Sequence, residues 1–295
     1  MTSSKFIPIL FVLLWATGFI GARYAMPHAE PFWFLALRFA IAGAMMAGFG
    51  AITRRSFPNK TQTRNAMLAG ALIHGAYLSC VFWAIRNGLP AGMSALIIGL
   101  QPIITTLRAG QFLGSITNWR HWLGLGLGLV GVFLVLWPKL GIPTAGFNSA
   151  TIAASFAAVV FISAGTVWQK RVDTGFDLIT GTAWQYAGAV LLTIMLSLMF
   201  ETQSFDNSAE LWFAMAWAIA VLSIGAIYLL MVLIRDGAIN SVAALFYLVP
   251  AVTALMANVL FDEQLHGIQI GGMVLVAGAV WIATSQRLSR ARASA

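Results

Sequence analysis

The same five-segment hydrophobic pattern occurs twice in this chain, with matching residues 147 to 149 positions apart. Each segment is an apolar run of about 20 residues, the length an α-helix needs to cross the hydrocarbon core of a bilayer. Five is odd, so a second copy of a five-span unit must enter the membrane upside down relative to the first. Inverted repeats of this kind mark secondary transporters, whose substrate site lies near the bilayer midplane where the halves meet. Each match is short, but their order is kept. Gly18 falls on Gly165, Arg38-Phe39 on Gln185-Tyr186, and Ile85-Arg86-Asn87-Gly88 on Ile234-Arg235-Asp236-Gly237. Pro102 falls on Pro250, and Val130-Gly131-Val132 on Ala277-Gly278-Ala279.

The fold expected from this pattern is an all-α integral membrane domain of ten transmembrane helices, built as two inverted five-helix repeats, 1–143 and 144–295. The spans fall near 5–26, 32–52, 65–86, 89–113, 119–137, 149–170, 177–200, 209–233, 238–261 and 267–286. Within lipid the backbone must satisfy its own polar groups, so such runs are helices. Composition agrees: 60% of the 295 residues are hydrophobic and 9% charged, against roughly 25% charged in a soluble domain. The first run lacks a convincing cleavage site and reads as a retained helix. The single cysteine, Cys80, lies inside an apolar run and reads as a small core residue.

A net charge of +8 would suggest nucleic acid in a soluble protein. Here the positions of the charges give a different reading. With the N-terminus in the cytoplasm, twelve Lys and Arg residues lie inside: Lys5, Arg54, Arg55, Lys60, Arg64, Arg120, Lys170, Arg171, Arg235, Arg287, Arg290 and Arg292. Only Arg23, Arg86 and Lys139 lie outside, while Glu30, Glu201, Asp206, Glu210, Asp262 and Glu263 also fall there. The positive-inside rule therefore places both termini in the cytoplasm, and a nucleic-acid partner is not expected.

Several of these segments carry a family resemblance. Trp15-Ala-Thr-Gly-Phe19, Leu37-Arg-Phe39 and Pro250…Phe261-Asp-Glu263 are similar to recurrent segments of the EamA branch of the drug/metabolite transporter superfamily. Within that branch the chain looks most like the bacterial amino-acid exporters of the YddG type. Ser115 stands where the family pattern often has an acid after the fourth span. The resemblance implies a bacterial inner-membrane exporter of amino acids and related metabolites. It also implies a path lined by spans three, four, eight and nine, with contributions from one, two, six and seven.

Polar groups at membrane depth give the candidate site. A charged side chain there is costly and faces either a partner or a cavity. Arg38 either snorkels and caps a carbonyl, or faces the cavity and receives a substrate carboxylate; Arg108, nearer a span end, snorkels. His74 is too short to snorkel and lies on one face with Tyr77 and Val81, either lining the cavity or satisfied as a core residue. The fourth span bears a stripe of Ser94, Gln101, Thr105 and Arg108. Gln185, Tyr247, Trp15, Trp168 and Tyr228 extend the candidate lining, with an aromatic-belt role open for Trp168. Pro102 and Pro250 are candidate hinges or static kinks. Gly124-x-x-x-Gly128 and the glycines of the tenth span suit tight packing, against each other or against a second protomer.

All nine Asp and Glu residues lie in or beside loops. That leaves His74 as the one side chain able to carry a proton near neutral pH, and favours gradient-driven, facilitative movement. Arg38, His74, Gln101 and aromatic rings suit a zwitterion or a small amphipathic anion, with ring faces for an ammonium group. No cofactor is called for. The four histidines lack metal-ligand spacing, and no nucleophile elbow or phosphate loop appears, so an enzyme is not expected. A proton-coupled exporter of drugs or other metabolites remains the alternative, then a channel or sensor. The working unit is a monomer or a homodimer.

Overall fold

The structure is a computed structural model that describes residues 6–89, 94, 97–101, 103–105, 119–140, 148–172, 177–236, 245–261 and 265–284. The long regular elements among them are all helical. They are α1 (Phe6–Ala25), α2 (Pro31–Ile52), α3 (Lys60–Arg86), α4 (Trp119–Leu140) and α5 (Ser149–Val172), then α6 (Leu178–Phe200), α7 (Ala209–Asp236), α8 (Leu248–Phe261) and α9 (Gly267–Thr284). Five of these, α2, α3, α5, α6 and α7, are long and apolar enough to cross a membrane. Shorter apolar stretches run over Phe6–Ala22, Trp122–Val135 and Gly267–Ile282. Phe49, Leu191, Met195, Leu198 and Phe213 stand exposed on outer helix faces, as lipid contact requires. The predicted fourth span falls mostly outside the described residues.

Helix starts follow local polar chemistry. The predicted third span begins at 65, whereas α3 begins at Lys60. The added turn is set by a capping box: the Asn59 side chain accepts from the Gln62 amide at 3.0 Å, and the Gln62 side chain accepts from the Asn59 amide at 2.9 Å. Asn148 caps α5 and Ser208 caps α7, each side-chain oxygen accepting from the backbone amide three residues on. Asp177 caps α6 through the amides of Ile179 and Thr180 and receives Arg55 Nη1 at 3.0 Å. Burial pushes this carboxyl up, but the Arg55 hydrogen bond and the two amide donors outweigh it and hold Asp177 below its ordinary value.

Charges sort to the two ends of the bundle. At one end Glu201 accepts from the first amides of α2, Phe32 at 2.7 Å and Trp33 at 2.8 Å, where the helix dipole favours an anion. Glu30 answers by accepting from the Ser204 amide at 2.8 Å, so the α1–α2 and α6–α7 connections brace each other. At the other end Arg55 meets Asp177, and Lys170 donates to the carbonyls of Ile234 and Arg235 at 2.7 and 3.0 Å.

Two features interrupt regular winding. Both α3 and α7 contain a π-helical stretch, Ala71–Ala76 and Ala218–Ala226, which begin 147 residues apart. Close helix contacts depend on glycine. Gly131 of α4 and Gly272 of α9 bring those backbones together: a Cβ on Gly272 would sit 2.7 Å from the Gly131 carbonyl oxygen. The glycine-rich fifth and tenth predicted spans thus pack on each other, with the Gln269 amide group donating to the Val135 carbonyl at 2.9 Å.

Candidate functional site

A narrow cleft lies between α1, α2, α3 and α7. Trp15, Gly18, Phe19 and Ala22 of α1 form one wall, and Tyr77, Leu78, Val81 and Phe82 of α3 the facing one. Leu222 and Ile227 of α7 close the side, and Arg38 of α2 supplies the charge.

Arg38 is 3% exposed. Its Nε donates to Ser223 Oγ at 2.8 Å, and its guanidinium carbon lies 5.4 Å from the Phe39 ring centre. Among the described residues no carboxylate pairs with it, and it is the one buried Lys or Arg. A buried cation without a counter-ion is costly, so Arg38 sits in the cleft wall as a group suited to an anionic ligand.

Behind the cleft the polar chain continues. Tyr186 stacks on Phe39 (centroids 5.5 Å, planes 14° apart) and donates its hydroxyl hydrogen to the Ser223 carbonyl. His74 lies against both rings, its centroid 5.1 Å from that of Tyr186 and 6.0 Å from that of Phe39. His74 Nε2 is 3.1 Å from Gln185 Oε1, an acceptor, which assigns the proton to Nε2. Gln185 Nε2 then donates to Gln169 Oε1 at 2.8 Å. His74 Nδ1 is buried with no partner among the described residues.

The sequence candidates separate into groups. Trp15, Arg38 and Tyr77 line the cleft. His74 and Gln185 bond to each other behind it rather than lining it. Gln101 is fully buried, with its Nε2 donating to Thr105 Oγ1 at 3.1 Å, and Ser94 is fully buried as well. Trp168 donates to the Asn65 carbonyl at 3.3 Å and ties α5 to α3, away from the cleft. Tyr228 is 38% exposed and lines a separate groove with Met45, Phe49 and Ile179. Tyr247 is buried with Leu125, Val132 and Val276, its ring lying over Gly128. Pro250 stands in the first turn of α8, where the Phe246 carbonyl already accepts from Val249, so its missing N–H leaves no helix bond unmade. Pro102 and Arg108 lie outside the described residues.

Ser223, Tyr186 and Gln169 were not candidates, although they hold the polar chain together. A serine in an apolar helix attracts no notice by itself. Its only trace in the sequence is position: Ser223 stands opposite His74 at the repeat spacing of 149.

Apolar helices around an internal cleft with one buried cation define the class, a helical membrane transporter. The sequence profile of the EamA-like transporter family matches residues 5–137 and again 149–285, and the chain belongs to that family, within the drug/metabolite transporter superfamily. It is a transporter and not an enzyme. It is 25% identical over 290 residues to a probable amino-acid metabolite efflux pump of Salmonella typhimurium, covering 94% of this chain and 93% of that one. It is 23% identical over 272 residues to YedA, an uncharacterised inner membrane transporter of Escherichia coli, covering 92% and 87%. A protein of known crystal structure superposes with a TM-score of 0.78 at 22% identity, covering 96% of this chain and 98% of that one, which shows the fold.

Proposed function

We propose that this chain is a secondary transporter of the inner membrane that exports amino acids and related small amphipathic metabolites by alternating access, driven by their gradients. The observation that carries the reading is the cleft itself. It offers one cation, Arg38, within aromatic walls from Trp15, Phe19, Tyr77 and Phe82. A carboxylate meets the guanidinium, and an apolar side chain or ammonium group meets the rings. The similarity to an amino-acid metabolite efflux pump supports the same cargo class.

The architecture belonging to this reading is ten spans in two inverted repeats, 1–143 and 144–295, with both termini cytoplasmic. Two profile matches of similar length, the paired π-helical stretches and the sorting of Glu30 and Glu201 away from Arg55 and Lys170 support it. One contact also occurs in both halves with different closeness. A Cβ on Gly18 would meet Leu222 methyls at 3.7 Å; its counterpart Gly165 would meet Ile73, the counterpart of Leu222, at 2.5 Å. A loose contact beside the cleft and a tight one in the other half are what two alternating vestibules require. Valine at Gly165 should wedge the tight contact and close the cleft, lowering thiol labelling of an Ala22→Cys variant made without Cys80. Valine at Gly18 should preserve that labelling. Equal effects from the two valines would reject the exchange.

The test of the function is counterflow of labelled amino acids in proteoliposomes, with and without an imposed proton gradient. Saturable exchange indifferent to the gradient is expected. Gradient-dependent uptake would favour a proton-coupled exporter with His74 as the titrating group. Absence of flux for every amino acid would sink the cargo assignment.

A further inference from the structure

We propose that Ser223 is a positioning residue that sets the orientation of Arg38, so that the cleft accepts a single carboxylate end-on through the two Nη groups. The inference rests on the reading of the cleft as the substrate site and names how that site selects.

A guanidinium has five N–H donors in one plane and can grip a carboxylate by either of two edges, Nε with one Nη or both Nη together. In this structure Nε is taken by Ser223 Oγ at 2.8 Å. Ser223 is itself fully buried, and its carbonyl receives the Tyr186 hydroxyl, so the anchor cannot drift. Arg38 lines the cleft, while among the described residues neither Nη donates to the protein. The side-on edge is therefore closed to ligand, and the end-on edge is the one presented.

A comparison within the chain argues that this contact does more than satisfy a buried side chain. Arg38 and Gln185 occupy equivalent places at a spacing of 147, as do His74 and Ser223 at 149. The two hydrogen bonds Arg38–Ser223 and His74–Gln185 are thus the same contact made twice, each joining a helix of one half to a π-helical stretch of the other. The second copy is neutral, is closed off by Gln169, and does not line the Arg38 cleft. A neutral pair is enough to join the helices there. The charged version occurs on the cleft side, where Ser neutralises nothing and fixes only direction. A carboxylate in place of Ser223 would have paired Arg38 internally and removed it from ligand binding.

The experiment uses purified full-length protein, with benzoate and benzamide as probes of equal shape that differ in charge. Dissociation constants are measured for wild type, Ser223→Ala and Ser223→Thr, each checked by gel filtration. Wild type should bind benzoate in preference to benzamide. Ser223→Ala should weaken benzoate about tenfold, the loss of one charge-assisted hydrogen bond's worth of orientation, with benzamide little changed; Ser223→Thr, which keeps the hydroxyl, should restore benzoate binding. Parallel loss of both probes, failure of threonine to rescue a folded protein, or no benzoate preference in wild type would overturn the proposal. Benzoate binding that follows this pattern in a protein without amino-acid counterflow would sustain it while removing the amino-acid cargo.

Discussion

Gly188→Ala and Gly70→Ala are expected to cost most of the folded protein, whereas Gly126→Ala should cost none. A Cβ on Gly188 would lie 2.1 Å from the Met67 carbonyl oxygen, and one on Gly70 would lie 1.9 Å from that of Gln185. In both cases the obstructing atoms are backbone, so no rotamer change relieves the clash, and α3 and α6 must move apart. Separation on that scale pulls His74 away from Gln185 and opens the stack of Phe39, Tyr186 and His74. Overpacking a core costs roughly 1–3 kcal/mol, occasionally more, and here two helices shift together. Nothing lies within 4 Å of a Cβ on Gly126, and alanine in a helix interior gains up to about 1 kcal/mol over glycine. Unfolding midpoints in detergent should fall steeply for the first two variants and hold or rise for the third. A Gly188→Ala protein that melts like wild type would show that α3 and α6 do not touch through their backbones.

That contact was not visible in the sequence, and the reason is instructive. Apolar length gave the helices: α2, α5 and α6 begin and end within two residues of the spans expected at 32–52, 149–170 and 177–200. Length says nothing about which helices meet. Gly131 and Gly272 stand out because glycines recur every two or three residues on α4 and adjoin on α9, whereas Gly70 and Gly188 have no glycine within four residues. The start of α3 was missed because its first turn, from Lys60 to Arg64, is polar and its signal is a capping box rather than an apolar period. In the site, Arg38 was legible from cost alone, since an arginine at depth needs a reason. The outward placement of Tyr228 has a geometric cause. Helical counting along α7 assumes 3.6 residues per turn, and the π-helical stretch over Ala218–Ala226 winds more slowly. Residues after it are rotated, so Ile227 faces the cleft and Tyr228 faces the outer groove. His74 stands within the other π-helical stretch and meets Gln185 behind the cleft, the core-residue reading of the two that its depth left open.

Replacing Arg38 with glutamine is expected to move stability and recognition in opposite directions. A buried guanidinium without a counter-ion gives up its hydration for one bond to Ser223 and the edge of an aromatic cluster. Glutamine removes the charge, keeps a side-chain amide able to reach polar neighbours, and relieves that desolvation. The unfolding midpoint should therefore hold or rise. Transport should suffer for the same reason: hydrogen bonds to charged groups contribute about 1.5–3 kcal/mol. On that scale the KM of a carboxylate-bearing amino acid should rise roughly 10- to 100-fold, with its amide changed far less. Arg38→Lys should fall between, because an ammonium keeps the charge but loses the planar fork that matches a carboxylate. Paired flux measurements with phenylalanine and phenylalaninamide, beside melting curves of the same preparations, separate the possibilities. A structural arginine would lower the midpoint on replacement and weaken both substrates alike. A midpoint that holds while the carboxylate alone is lost means that the protein bears the cost of a buried charge for the sake of its ligand.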